Sequence, residues 1–167
     1  EIWNTHCGFD FERKEVSPPL IKNNFITFGS FNNPAKINKN VINCWAEILK
    51  KIKNSRLILK CSNDKKKFDR IEGLMRKKGV LDSVIFHKRF EDKIDHLNLY
   101  KEVDIVLDTF PYNGVTTSFE AIWMGVPVLT IAGYNFNSRC GESINRNLGM
   151  DQLIAKDEND YVQKAVD

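Results

Sequence analysis

From about residue 26 onward, apolar positions in this chain follow two alternating rhythms. One is a short strand-like run. It occurs as Ile26-Thr27-Phe28-Gly29-Ser30-Phe31, Leu57-Ile58-Leu59, Val84-Ile85-Phe86, Ile105-Val106-Leu107 and Val128-Leu129-Thr130-Ile131, and more weakly at Leu153-Ile154-Ala155. Runs with no polar alternation fit strands covered on both faces, as in parallel sheets. The other rhythm is helical. Val41, Ile42, Trp45, Ile48, Leu49 and Ile52 share one helical face, and Asn38 stands where an N-cap belongs. Phe68, Ile71, Leu74 and Met75 predict a more polar helix over 65–78, closed by Gly79. Ile94, Leu97 and Tyr100 predict a helix over 93–101. Further helices are expected over 139–147 and from Asp157 onward, with a loop at 133–137. Strands alternating with helices predict an α/β fold, a Rossmann-like parallel sheet with helices on both faces. Residues 1–24 show no clear period. Pro18-Pro19 and Asn23-Asn24 read as loop, so 1–24 is expected to be a linker or incoming arm and 25–167 the domain.

The richest stretch is DIVLDTFPYNGVTTSFEAIWMGVP, from Asp104 to Pro127. It reads as strand, loop, helix, strand. A loop after such a strand lies at the carboxyl edge of the sheet, where open α/β sheets bind ligands. The first N–H groups of the following helix lack helical partners, and with the helix dipole they form an anion site. Thr116 and Thr117 open that helix. Thr117 and Glu120 also spell T-x-x-E, the signature of a capping box. Asn113-Gly114 is a turn, and Gly114 permits close approach of backbone to a ligand. Phe110 and Tyr112 are expected to wall the loop, and Asp108 to be buried as a helix cap or a loop brace. Arg139 and Glu142 are expected to form a structural helix start.

Bulk properties narrow the function. A 167-residue chain, 42% hydrophobic and 28% charged, suits one ordinary globular domain. A net charge of +3 is too small to argue for nucleic acid. Lys50-Lys51-Lys53, Lys65-Lys66-Lys67 and Arg76-Lys77-Lys78 read as solvated helix faces. Cys7, Cys44, Cys61 and Cys140 show no C-x-x-C spacing and make no metal pattern with His6, His87 or His96. They read as free thiols of a reducing compartment, the cytoplasm. No run reaches membrane-spanning length and no signal peptide is evident. The chain starts at Glu1 and stops inside a helical pattern, so it is expected to be a piece of something longer.

Four segments together resemble one family. They are FGSFNNPAKI (28–37), DHLNLY (95–100), LDTFPYNGVTTSFEAIWMGVPVLT (107–130) and SRCGESI (138–144). The family is the O-GlcNAc transferases, including bacterial and Spindly-type members that often follow tetratricopeptide repeats. The resemblance runs from Phe25 to the end of the chain. It implies the C-terminal, donor-holding half of a GT-B glycosyltransferase, inverting and metal-independent, and inactive as a fragment. The implied reaction moves N-acetylglucosamine from UDP-GlcNAc to protein hydroxyls, with no cofactor beyond that donor substrate. The implied partners are the donor, a protein acceptor, the N-terminal half of the enzyme and the repeats, with neither nucleic acid nor membrane.

By resemblance, Lys36 is the catalytic lysine on the donor diphosphate, and Asn33 replaces a glutamine beside it. Lys93 and His96 match a K-x-x-H pair at the nucleoside. Gly114, Thr116 and Thr117 match the phosphate loop, and Glu120 replaces an aspartate at the ribose. Val115 stands where the family usually has histidine, and Leu99 where some members have arginine. These two departures keep other readings open. One is a degenerate, non-catalytic nucleotide-binding or protein-interaction module. Another is a transferase using UDP-glucose or GDP-fucose.

Overall fold

In the computed structural model, described for residues 6–9, 17–60, 64–88 and 90–167, the alternation becomes a six-stranded sheet. Its strands are β1 (Thr27–Ser30), β2 (Arg56–Lys60), β3 (Val84–His87), β4 (Ile105–Leu107), β5 (Val128–Ile131) and β6 (Ile154–Ala155). They lie in the order β3-β2-β1-β4-β5-β6, and every neighbouring pair is parallel. The helices are α1 (Pro19–Asn23), α2 (Lys39–Lys51), α3 (Lys65–Lys77), α4 (Lys93–Asn98), α5 (Thr116–Trp123), α6 (Cys140–Asn147) and α7 (Glu158–Val166).

The unbroken apolar runs are explained by burial on both faces. Phe28, Leu57, Leu59, Leu107 and Leu129 point into one core with Trp45 and Ile48 of α2, Ile71 and Met75 of α3, and Tyr161 of α7. Their neighbours Ile58, Val106 and Val128 point into a second core with Leu97 of α4, Tyr100 and Val103 after it, and Ala121 of α5. Side chains alternate across a strand, so both sets must be apolar. The expected sheet with helices on both faces is therefore present.

Local signals explain most boundaries. The Asn38 side chain accepts from Val41 N–H at 3.0 Å and starts α2. Asp64 and Asp157 start α3 and α7 in the same way. Gly79, at φ +71°, takes the left-handed turn after α3. The lysine clusters lie almost wholly on exposed positions.

Four expectations need correction. Pro18-Pro19 does not mark a loop. Pro19 occupies the first turn of α1, where a missing N–H costs nothing. The helix expected over 93–101 stays α-helical only to Asn98, and Leu99–Glu102 tightens into a 3-10 turn. The loop expected at 133–137 contains a 3-10 turn at Phe136–Ser138, closed by reciprocal bonds between Asn135 and Ser138. Thr117 and Glu120 form no capping box. The helix begins at Thr116, its N-cap is Val115, and no side chain caps it.

Of the expected arm, residues 1–5 and 10–16 lie outside the described residues, as does Cys61. His6 to Phe9 rest on α5, with the Phe9 ring edge-on to Trp123 at 5.8 Å. Cys7 and Cys44 are free thiols, and Cys140 Sγ donates to the Phe136 carbonyl at 3.4 Å.

Candidate functional site

Two loops leave the carboxyl edge side by side, one after β1 and one after β4. The first turns at Asn33, whose side chain accepts from Ala35 N–H at 3.0 Å. That cap sets the 3-10 turn Pro34–Lys36. Lys36 then reaches across to the second loop. Its Nζ donates to the Asn113 carbonyl at 2.8 Å and lies 4.1 Å from the centre of the Tyr112 ring. The side chain is half-buried. Burial pulls its pKa below the usual lysine value, while Asp108 and Cys140 act in the opposite direction.

The second loop is organised from beneath by Asp108, which is 1% exposed. Its Oδ1 accepts from Thr109 N–H at 2.8 Å, Gly114 N–H at 2.7 Å and Asn32 Nδ2 at 3.2 Å. Its Oδ2 accepts from the Thr130 hydroxyl at 2.8 Å. Asn32 passes the connection on, because its Oδ1 accepts from Thr117 Oγ1 at 2.9 Å. The expected bracing role of Asp108 is thus met in detail. Phe110 is buried within the loop wall and Tyr112 is half exposed beneath the Lys36 ammonium. Arg139 and Arg146 both bind Glu142 through the first turns of α6, the expected structural start.

Gly114 has a packing reason for its missing side chain. A Cβ there would lie 2.5 Å from Thr117 Oγ1, 2.8 Å from Ser118 Oγ and 2.9 Å from Asn32 Oδ1. The close approach is therefore to the start of α5, at a φ outside the left-handed region. Thr116 is exposed at the first helical position, beside the free N–H groups of that turn.

A second corner lies between α4, β2 and α5. His96 Nε2 is 3.1 Å from Glu120 Oε2 and 3.2 Å from Lys60 Nζ. Tyr100 joins the corner to the start of α5. Its hydroxyl lies 3.1 Å from the Thr117 carbonyl and 3.4 Å from Glu120 Oε2. Burial pushes the Glu120 pKa up, but bonding and charge from His96, with help from Lys60 and Tyr100, outweigh it and hold the carboxyl below its usual value. His96 Nδ1 is buried and has no partner among the described residues. Lys93 is exposed, with its ammonium 4.4 Å from the centre of the Phe9 ring.

The expected residues thus fall into two groups. Lys36, Gly114 and Thr117 are tied together through Asn113 and Asn32, while His96 and Glu120 touch directly. Asn33 and Thr116 stand exposed at the rim, and Lys93 leans on the Phe9 ring. Sequence reasoning missed Asn32, Lys60 and Tyr100. Asn32 and Lys60 follow or end strands at the carboxyl edge, which was a usable signal. Tyr100 looked like a core position, and it is one, at 1% exposed. Val115 is half-buried at the N-cap, and Leu99 is packed in the second core. Chemically, one corner offers an ammonium and unpaired N–H groups to an anion. The other offers a carboxylate, an imidazole and an ammonium to neutral hydroxyls or a ring.

The sequence model of glycosyl transferase family 41 matches residues 18–167. The chain is 41% identical over 158 residues to a protein of Arabidopsis thaliana described as probable UDP-N-acetylglucosamine–peptide N-acetylglucosaminyltransferase SPINDLY, covering 89% of this chain and 17% of that protein. It is 30% identical over 142 residues to the UDP-N-acetylglucosamine–peptide N-acetylglucosaminyltransferase of Caenorhabditis elegans, covering 84% of this chain and 12% of that protein. The chain therefore spans less than a fifth of the length of these curated relatives. A solved O-GlcNAc transferase mutant of Thermobaculum terrenum superposes with a TM-score of 0.86 at 31% identity, over 96% of this chain and 31% of that one. The WaaG glycosyltransferase of lipopolysaccharide biosynthesis shares the fold at a TM-score of 0.50 and 18% identity, over 89% of this chain and 44% of that one.

Proposed function

The chain belongs to glycosyl transferase family 41, and from that premise we propose that it is the donor-holding half of a GT-B enzyme that moves N-acetylglucosamine from UDP-GlcNAc to protein hydroxyls. The observation that carries this reading is the convergence of Lys36 and the start of α5 on one point of the carboxyl edge, tied through Asn113 at 2.8 Å. Departure of a nucleoside diphosphate concentrates negative charge on its terminal phosphate. An ammonium and preorganised N–H donors stabilise that charge where it develops. Lys36 leaves the Asn113 carbonyl for the phosphate, Thr116 adds its hydroxyl at the helix start, and Thr117, whose hydroxyl proton goes to Asn32, adds its backbone N–H. Glu120 accepts from the ribose hydroxyls, and His96, Lys60 and Lys93 border the nucleoside.

The facing half of the enzyme and tetratricopeptide repeats are supplied by the rest of a longer protein, as the partial coverage of the relatives supports, and the acceptor is a separate protein. In this reading residues 25–167 are the domain and 1–24 a linker or incoming arm. The cytoplasm is the proposed compartment, in keeping with the exposed free thiol of Cys7. Among the described residues no helix is long and apolar enough to cross a membrane.

A second reading, a non-catalytic nucleotide-binding or interaction module, draws on Val115 and Leu99. Neither side chain can offer a polar contact, and Leu99 is sealed in the core. Calorimetric titration with uridine, UMP, UDP and GDP separates the readings. Binding that strengthens from uridine to UDP, and weakens selectively for UDP in Thr116→Ala, supports the donor site. Tighter GDP binding moves the reading to a GDP-sugar. Absence of binding to all four favours the protein-interaction module.

A further inference from the structure

Asp108 raises a question that bracing alone does not answer. A carboxylate sealed from water lies directly under a loop that, in the reading above, receives a diphosphate. A buried negative charge behind an anion site opposes the ligand. An asparagine could have braced the same loop, since one oxygen does most of the work. The two oxygens are in fact unequal. Oδ1 takes three partners, Thr109 N–H, Gly114 N–H and Asn32 Nδ2, all of them donors only. Oδ2 takes one partner from β5, the Thr130 hydroxyl. A hydroxyl can donate or accept by turning about its C–O bond. A proton therefore has one place to go. It fits on Oδ2, with Thr130 turning to accept it, and the three bonds to Oδ1 stay in place.

We propose that Asp108 is a proton-linked positioning residue of the donor site: it holds the 109–114 loop and Asn32 in both protonation states, and takes up a proton on Oδ2 when the donor's diphosphate arrives. The inference rests on the donor reading above. Burial pushes the free carboxyl up to about 6, against the bonds from Gly114, Thr130 and Thr109 and the charge of Lys36. Proton uptake thus falls within reach of neutral pH. The titratable groups around Asp108 are few. Lys36 faces it from the loop after β1 and is the cation that the diphosphate draws away. Tyr161 of α7 donates its hydroxyl to the Asp108 carbonyl at 2.9 Å, and burial raises its own pKa well above the range in question. Cys140, at the start of α6, acts on Lys36. His96 and Glu120 sit beyond Thr117 in the other corner.

The geometry gives an unusual expectation for Asp108→Asn. The amide oxygen replaces Oδ1, and the amide N–H2 replaces a protonated Oδ2 facing Thr130. The variant copies the proton-loaded state. The test is affinity for UDP-GlcNAc from pH 5 to pH 8, because this diester diphosphate has no proton of its own to exchange in that range. Wild-type affinity should rise about tenfold as pH falls, the effect of an upward shift of about one unit at a single group. Asp108→Asn should bind at pH 8 about tenfold tighter than wild type and lose that part of the slope. Calorimetry in buffers of different ionisation enthalpy should show proton uptake in wild type and less in the variant. If Asp108→Asn fails to fold, carboxyl-carbon NMR of the wild type decides. Asp108 should titrate near pH 6 and shift upward when UDP-GlcNAc is added. Weaker binding by the folded variant at every pH with an unchanged slope would overturn the proposal, as would a carboxyl titrating near 4. If neither protein binds UDP-GlcNAc at any pH, the donor reading falls and this inference with it.

Discussion

Replacing Gly114 by alanine perturbs the proposed site at its tightest point. The added Cβ lies 2.5 Å from Thr117 Oγ1, 2.8 Å from Ser118 Oγ and 2.9 Å from Asn32 Oδ1. Asn32 and Ser118 are 2% and 1% exposed, so neither can swing into solvent. Overpacking of this kind costs about 1–3 kcal/mol. Losing the Thr117–Asn32 hydrogen bond adds roughly 0.5–1.5 kcal/mol. The sum, about 2–4 kcal/mol, corresponds to a drop in Tm on the order of 5–15 °C for a domain of this size. Displacing Thr117 also misaligns the start of α5. Loss of one bond to a charged phosphate, about 1.5–3 kcal/mol, lowers UDP affinity roughly 10–100-fold. Uridine should be affected far less, because its corner is reached only through Tyr100. Scanning calorimetry and titration of UDP and uridine read both effects. A second variant separates strain from chemistry. Gly114→Ala with Thr117→Ala removes the nearest contact, so part of the Tm should return while UDP affinity stays low. Gly114→Ala with wild-type Tm and wild-type UDP affinity would refute the reasoning outright.

Other outcomes follow from the same geometry. Lys36→Ala should weaken UDP binding by about 1.5–3 kcal/mol, read by titration, and lower the Tm by a few degrees, because Lys36 ties the two loops through Asn113. Thr117→Ser should keep both Tm and UDP affinity, since it retains the hydroxyl that Asn32 accepts, whereas Thr117→Ala should lower both. Glu120 has a folded pKa below its unfolded value, so its stabilising contribution is present above about pH 4.5 and is lost as pH falls through the folded pKa. Glu120→Gln should therefore shallow the acid limb of a stability-against-pH curve, measured by urea unfolding. The isolated 167-residue chain should transfer no sugar to a peptide in a radiolabel assay, because the chemistry needs a facing domain.

The strands and most helices were legible because burial on both faces leaves an unmistakable mark. Ile58 and Leu59 look alike in sequence because each enters a core, though a different one. The Lys36 corner was legible as a place because helix starts and strand ends are local features. The His96 corner was less so. Its members Lys60, His96 and Glu120 come from three elements, and only their shared position at one sheet edge brings them together. The capping-box signal at Thr117 failed for a physical reason. Asn32, 85 residues away in sequence, claims the threonine hydroxyl, and His96 and Tyr100 claim the glutamate. Buried tertiary partners here outcompete a local motif.

The strand order carries one more consequence. β1 to β3 form one run of the chain, β4 to β6 the other, and the two meet where Phe28 lies opposite Ile105 and Gly29 opposite Val106. Lys36 belongs to the first half and α5 to the second. A diphosphate held between them would act as a rivet across that joint. Because it binds the assembled halves and not the separated chain, it would stabilise the whole domain by about 2.7 kcal/mol at a hundredfold excess over Kd. Amide exchange should then slow on β1 and β4 together, far beyond the residues that touch the ligand.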